Sequence, residues 1–284
     1  MNTPAGVASN YIDAGIHKTR LRFRKMLLLS ILAGAFIALA GVGASTASSM
    51  VDNPSLAKLV GACVFPGGLA MVVLAGSELF TGNCLLIIPL LSKKVAAPLV
   101  LRNWVVVYCG NFIGSLLVAA LSVYSHQAGQ FSGALVVSMF STAITKCSLT
   151  FGDAFLRGIA CNFLVCIAVW ISFAATDTIG KLAGLYFPIL LFVVSGFEHS
   201  IANMFYIPVA LFAKGVLAYA EAAAQSGLDL SALTWGHFLA GNLLPVTLGN
   251  IVGGLAVGII YWYCYVKEKR ELESRAVHSS KGRG

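Results

Sequence analysis

The sequence predicts an all-α integral membrane protein: six transmembrane helices in two inverted copies of three, with the second and fifth helices broken. Three observations carry that prediction. Of 284 residues, 58% are hydrophobic and only 11% charged, whereas a soluble domain carries about 25% charged residues. Apolar segments long enough to cross a bilayer recur along the chain. And one polar phrase is written twice inside such segments, GSELFTGN at 76–83 and GFEHSIAN at 196–203, each keeping Gly, then Glu two residues on, then Asn five residues later.

A hydrocarbon core of roughly 30 Å needs about 20 apolar residues of helix. Six stretches qualify, at about 26–49, 59–92, 99–124, 155–176, 183–213 and 237–266. The second and fifth are too long for one span, and each holds one of the repeated phrases, so each is expected to divide there. The first span is read as retained rather than as a cleaved leader. The basic region before it is longer than a typical leader's, and the repeat needs that helix. Basic residues flanking short loops set orientation. With the N-terminus cytoplasmic, Lys18 through Lys25, Lys93, Lys94, Arg102, Lys181 and the C-terminal cluster lie inside, against Lys58, Lys146, Arg157 and Lys214 outside. Both termini are therefore expected in the cytoplasm. The single transmembrane domain comprises an N-terminal segment 1–25, a first repeat 26–124, a second repeat 155–266 and a tail 267–284. The N-terminal segment reads either as an interfacial amphipathic helix or as a disordered basic tail. The net charge of +8 sits at segment ends and flanks, which fits anchoring beside anionic lipid headgroups and not a nucleic-acid groove.

The repeat extends beyond the two phrases. NWVVVYCGNFIG (103–114) aligns without gaps to NLLPVTLGNIVG (242–253), with Asn103/Asn242, Gly110/Gly249, Asn111/Asn250 and Gly114/Gly253 identical. The first and fourth spans match weakly, ILAGAFIALA against IACNFLVCIA. Three spans is an odd number, so the second copy enters the membrane from the opposite side. In such folds the substrate site lies near the midplane, at interrupted helices of corresponding position.

The breaks supply the candidate chemistry. Each leaves N–H groups without intrahelical partners, and helix N-termini aimed at the midplane attract anions. Gly76, Gly82 and Gly196 give the backbone freedom to turn. Asn83 and Asn203 are placed to cap the second half-helices. Glu78 and Glu198 are either charged pathway groups, suited to a cation, or structural groups held by the free N–H groups of the breaks. Their equal offsets favour the structural role. His199 stands opposite Leu79 in the alignment, and an ionisable group at membrane depth is a functional candidate by default. Imidazole donates a hydrogen bond when neutral or a proton when charged; the bland alternative is a ring tied to a backbone carbonyl. Thr81 offers a second polar donor. Leu79, Phe80 and Phe192 are placed to narrow a passage or simply to pack. Lys146, in the connection before span four, either concentrates anions at the mouth or is an ordinary solvated loop lysine.

Several classes are excluded. The seven cysteines lack a C-x-x-C pair, so they read as small buried side chains, and no metal or cofactor site is expected. No His-Glu-x-x-His, Gly-x-Ser-x-Gly or intramembrane aspartate pair points to an enzyme. A neutral-solute pore of the aquaglyceroporin kind shares the broken-helix logic, but neither break reads Asn-Pro-Ala.

ELFTGN and GFEHSIANM, with CNFLVCIAVW and NLLPVTLGNIVGG, resemble the formate/nitrite transporter family over nearly all of residues 10–266. The resemblance implies an aquaporin-like protomer, a homopentamer with one pore per protomer in the bacterial inner membrane, and lipid as its solvent. It implies that Thr81 faces His199, that Lys146 (with Thr150) lies in the outer vestibule, and that Asn162 and Asn250 belong to the pore. It carries the constriction to Phe65, Leu69, Leu79, Phe80 and Phe192. The implied substrates are small monovalent anions with their protons: formate first, with nitrite, hydrosulfide and lactate as alternatives. Transport is expected to depend on pH through hydrogen bonding or proton donation by His199.

Overall fold

A computed structural model describes residues 1–268, and these form helices joined by loops, without a strand. In chain order the helices are α1 (Pro4–Arg20), α2 (Phe23–Ser48), α3 (Pro54–Val64), α4 (Pro66–Leu74), α5 (Phe80–Asn83), α6 (Ile87–Leu91), α7 (Ala97–Tyr124), α8 (Ala134–Cys147), α9 (Phe151–Ala174), α10 (Thr178–Val194), α11 (Ser200–Ala213), α12 (Leu217–Gln225) and α13 (Leu244–Trp262). Most of the tail expected from 267 onward lies outside the described residues.

Local chemistry sets several of the helix starts. Asn53 accepts hydrogen bonds from the N–H groups of Ser55 and Leu56, with Pro54 at the first helical position of α3. Thr150 and Asp177 cap α9 and α10 in the same way, accepting from Asp153 and Gly180. Pro66 separates α3 from α4, because it has no N–H to continue the ladder. Among the described residues, five segments are long and apolar enough to cross a bilayer: 23–48, 54–74, 97–124, 151–174 and 237–267. The stretch read as span five consists of α10 and α11, separated at the second repeated phrase and each short of a full span. α11 then turns by 98° into α12, so the described residues hold five to six apolar spans.

The two longest contacts are α2 along α7 and α9 along α13. Both depend on glycine. A Cβ at Gly114 would sit 2.0 Å from the Ile31 carbonyl oxygen, and one at Gly253 would sit 2.2 Å from that of Ile159. Backbones approach this closely only where side chains are absent. α5 packs on α9 and α13 and α6 on α13, while α11 packs on α7, α8 and α2. Leucines such as Leu28 and Leu32 on α2 and Leu117 and Leu121 on α7 remain exposed, as a lipid-facing surface requires.

α1 is a helix, not a disordered tail, and one of its faces packs into the protein. Val7, Ala8, Tyr11, Gly15 and Thr19 are buried, Gly15 faces Pro89, and the Asn2 N–H donates to the Ala174 carbonyl at 2.8 Å.

Candidate functional site

The backbone leaves the helix after Leu74 and re-enters it at Phe80; it leaves again after Val194 and re-enters at Ser200. Gly76 (φ +78°) and Gly196 (φ +70°) take the left-handed turn in the two interruptions, a conformation that costs glycine little.

Both carboxylates at the breaks are nearly buried, and they are held by side chains. Lys18 Nζ meets Glu78 Oε1 at 2.8 Å, and Asn83 Nδ2 donates to Glu78 Oε2 at 2.8 Å and to Asn103 Oδ1 at 2.9 Å. Asn103 in turn donates to the Lys18 carbonyl at 3.3 Å. At the second break Lys146 Nζ meets Glu198 Oε1 at 2.9 Å, while Asn203 Nδ2 donates to Glu198 Oε2 at 2.6 Å and to Asn242 Oδ1 at 2.7 Å. Asn242 donates to the Lys146 carbonyl at 2.9 Å. These four bonds recur in each circuit, and Asn242 adds a longer one to Glu198 Oε2 at 3.5 Å. Lys146 is therefore no solvated loop lysine: it ends α8, and its side chain is 15% exposed against its carboxylate.

A second pair of asparagines satisfies the exposed backbone. Asn111 accepts from the Phe80 N–H at 2.9 Å and donates to the carbonyls of Ser30 and Glu78. Asn250 accepts from the Ser200 N–H at 2.9 Å and donates to the carbonyls of Gly158 and Glu198. This corrects two expectations. The free N–H groups go to Asn111 and Asn250 and not to the glutamates, and Asn83 and Asn203 do not cap the helices. An asparagine inside the first turn points back along its own strand of contacts, whereas one on a crossing helix reaches the open N–H squarely. Asn250, expected in the pore, is fully buried with its amide committed to backbone.

Between the breaks, Thr81 Oγ1 lies 2.9 Å from His199 Nε2, and both side chains are buried. His199 Nδ1 accepts the Ala202 N–H at 3.1 Å, so that nitrogen carries no proton. The neutral ring then bears its proton on Nε2 and donates it to Thr81, whose own hydroxyl hydrogen is left to donate elsewhere. Asn162 Nδ2 donates to the Thr81 carbonyl at 3.2 Å and to the Asn250 carbonyl at 2.6 Å, and Cys166 Sγ reaches the Thr81 carbonyl at 3.6 Å. Phe192 stacks on His199, ring centres 5.8 Å apart.

Two cavities approach this point. One, of about 570 Å³, is lined by α1 residues together with Leu69, Glu78, Leu79 and Asn83. The other, of about 710 Å³, is lined by Phe65, Lys146, Phe192, Glu198, His199 and Asn203. Leu69 and Leu79 thus stand at the end of the first cavity, Phe65 and Phe192 at the end of the second. Phe80 lines neither. Its ring is edge-on to Trp104 and Tyr108 at 6.1 and 4.9 Å, because the helix start at Phe80 turns that side chain toward α7.

Sequence reasoning missed Lys18, Asn103 and Asn242, which complete the circuits, and Tyr11, whose hydroxyl donates to the Gly82 carbonyl at 3.2 Å. Lys18 was discoverable. The offset of 128 residues that pairs Ile31 with Ile159 pairs Lys18 with Lys146 when carried toward the N-terminus. It also pairs the buried positions Val7, Ala8, Tyr11, Gly15 and Thr19 of α1 with Leu135, Val136, Met139, Ala143 and Cys147, all buried on α8. Tyr11 left no signal, since its counterpart is a methionine.

Comparison with known proteins agrees with this geometry. The family model described as "Formate/nitrite transporter" matches residues 5–263. A "Probable formate transporter" of Methanothermobacter thermautotrophicus is 41% identical, the alignment covering 94% of this chain and 98% of the relative. "Formate channel FocA" of Escherichia coli K12 is 36% identical over 93% and 95% of the two chains. Among solved structures, a "Pentameric formate channel with formate bound" superposes with TM-score 0.76 at 36% identity, over 86% of this chain and 98% of that one. This chain belongs to the formate/nitrite transporter family, which is one of channels and transporters and not of enzymes.

Proposed function

We propose that this protein passes small monovalent anions together with a proton across the bacterial inner membrane, formate first among them, as a homopentamer with both termini cytoplasmic. The observation that carries the reading is the Thr81–His199 contact, a buried pair of hydrogen-bonding groups between two cavities that each hold an ion-paired lysine. Formate is favoured over nitrite, hydrosulfide and lactate by the relatives named above.

The scaffold is an inverted repeat, supported by the matching circuits Lys18–Glu78–Asn83–Asn103 and Lys146–Glu198–Asn203–Asn242. The repeat unit includes α1, paired with α8, so the N-terminal helix belongs to the transport domain.

The midpoint acts as a hydrogen-bonding station. A bare carboxylate pays heavily to pass Leu69, Leu79, Phe65 and Phe192, whereas the neutral acid does not. The anion takes a proton in the vestibule and crosses as the acid, with Thr81 and His199 replacing part of its water shell. Proton donation by His199 itself would require a proton on Nδ1, where the Ala202 N–H already points. The pH dependence then belongs to the substrate, and uptake rises as pH falls.

Uptake of formate, nitrite, lactate and hydrosulfide by proteoliposomes at two pH values tests this. Wild type is expected to prefer formate and to run faster at the lower pH. His199→Ala is expected to cut the rate at least tenfold while keeping the direction of the pH dependence. If that variant matched wild type in rate, the central role of His199 would be lost.

A further inference from the structure

The cavity on the α8 side contains three cations, and only one of them is spent. Lys146 is bound to Glu198 at 2.9 Å; among the described residues the side chains of Lys58 and Arg157 have no ion pair or hydrogen bond. Both line the same cavity as Lys146 and His199, and Glu198 is the only carboxylate lining it. Lys58 Nζ lies over the turn of the second break, 2.8 Å from where a Cβ on Gly196 would be. Asp153, one turn before Arg157 on α9, is bonded to Thr150 and does not line the cavity. The rest of the wall is rich in hydroxyls: Ser45, Ser48, Ser138, Ser141, Thr142 and Thr145.

A lysine fixed on a carboxylate contributes a dipole and little net field, whereas two unpaired cations in a low-dielectric funnel raise the local anion concentration. We infer that Lys58 and Arg157 form an anion-collecting site at the mouth of this cavity, taking small oxyanions, while Lys146 serves as the counter-ion of Glu198. The site gathers the anion; the buried pair beyond it positions the break. Two free positive charges also hold a dianion more strongly than a monoanion, so sulfate, too polar to pass the apolar constriction, is expected to occupy the site and compete with the permeant anion. This inference rests on the anion-channel reading above.

The test uses the full chain in proteoliposomes sorted to expose the α8 side, with formate uptake followed across ionic strength. Field effects fade as the screening length falls from about 30 Å at 0.01 M to about 3 Å at 1 M salt. At low ionic strength Lys58→Gln/Arg157→Gln is expected to run about fivefold slower than wild type, a modest case of electrostatic steering. The difference should close at high salt. The charge-keeping variant Lys58→Arg/Arg157→Lys should follow wild type throughout. Sulfate at constant ionic strength should slow wild type and leave the neutral variant nearly untouched. A neutral variant that tracked wild type at every salt concentration would overturn the inference. So would one slower by the same factor throughout, or equal inhibition of both by sulfate. Wild-type vesicles that pass no formate at any salt would sink the channel reading itself, and the collecting site with it.

Discussion

The two helix breaks have the same construction and different contents. Each has a glycine in the left-handed region, a buried glutamate clamped by a lysine and an asparagine, a second asparagine bridging to that lysine's carbonyl, and a third taking the first free N–H of the re-entering helix. They differ at the residues that start that helix. The first break presents Leu79, Phe80 and Thr81; the second presents His199, Ser200 and Ile201. What is shared solves a problem of physics, namely irregular backbone and charge at membrane depth. What is unshared meets at the Thr81–His199 contact. The shared frame is thus distinct from the working part, and each break serves as a control for the other.

The largest effects should come from the bridging asparagines. Asn111→Leu or Asn250→Leu removes three bonds and leaves the first N–H of the re-entering helix and the glutamate carbonyl unsatisfied where water is scarce, since the Ser30 and Gly158 carbonyls keep their bonds inside α2 and α9. At 1–3 kcal/mol per buried unsatisfied group, the loss is about 4 kcal/mol. Both variants should fail to give folded oligomer in detergent, read by size-exclusion chromatography and thermal unfolding. One tolerated and the other not would break the equivalence of the halves.

Next come the clamps. Lys146→Met leaves Glu198 buried without its counter-ion, at a cost of about 3 kcal/mol. Lys18→Met should cost somewhat less, because Lys18 is 22% exposed against 15% for Lys146. Neutralising the partner as well, in Lys146→Met/Glu198→Gln, should restore most of the thermal stability. A double variant no better than the single one would show that the charge pairing is not what Lys146 contributes.

Much of this was legible in the sequence, and for an identifiable reason. Apolar segments, the repeated Gly-x-Glu and the late Asn are strings, and strings survive in a one-dimensional reading. So do identical residues at a fixed offset, which is why Glu78 with Glu198 and Asn111 with Asn250 were visible as pairs. Their partners were not, because a partner is chosen in three dimensions. Nothing in the sequence says that Asn250 reaches from α13 to the Ser200 N–H, or that Phe80 turns away toward Trp104 and Tyr108. Lys18 fell between these cases. It stood among other basic residues of a flank and read as a topology signal, although its offset from Lys146 was there to be measured.

The contact between the halves is the third target. Thr81→Val keeps the shape but leaves the His199 Nε2–H without its acceptor, a loss of about 2 kcal/mol. The protein should fold and assemble, with formate uptake reduced several-fold at both pH values. Thr81→Ser, which keeps the hydroxyl, should recover most of the rate. Uptake equal to wild type in Thr81→Val would reduce the contact to packing.

The smallest effect concerns one place where the frame itself is unequal. Tyr11 on α1 donates from its hydroxyl to the Gly82 carbonyl at 3.2 Å, beside Thr81, with its ring edge-on to Phe173 at 5.2 Å. The matching position on α8 is Met139, which has no donor to offer. The first break is thus tied to its flanking helix by a bond that the second lacks. Tyr11→Phe keeps the ring contact and removes only that bond, so stability should fall by about 1 kcal/mol, read as a small drop in thermal midpoint. If the bond fastens α1 to the pore loop, the variant should also expose α1 to faster proteolysis under native conditions, while Met139→Leu on α8 should not change cleavage at all. Equal protection of α1 in Tyr11→Phe and wild type would mean that burial of Val7, Ala8 and Gly15 alone seats the helix, and that the two halves are fastened alike after all.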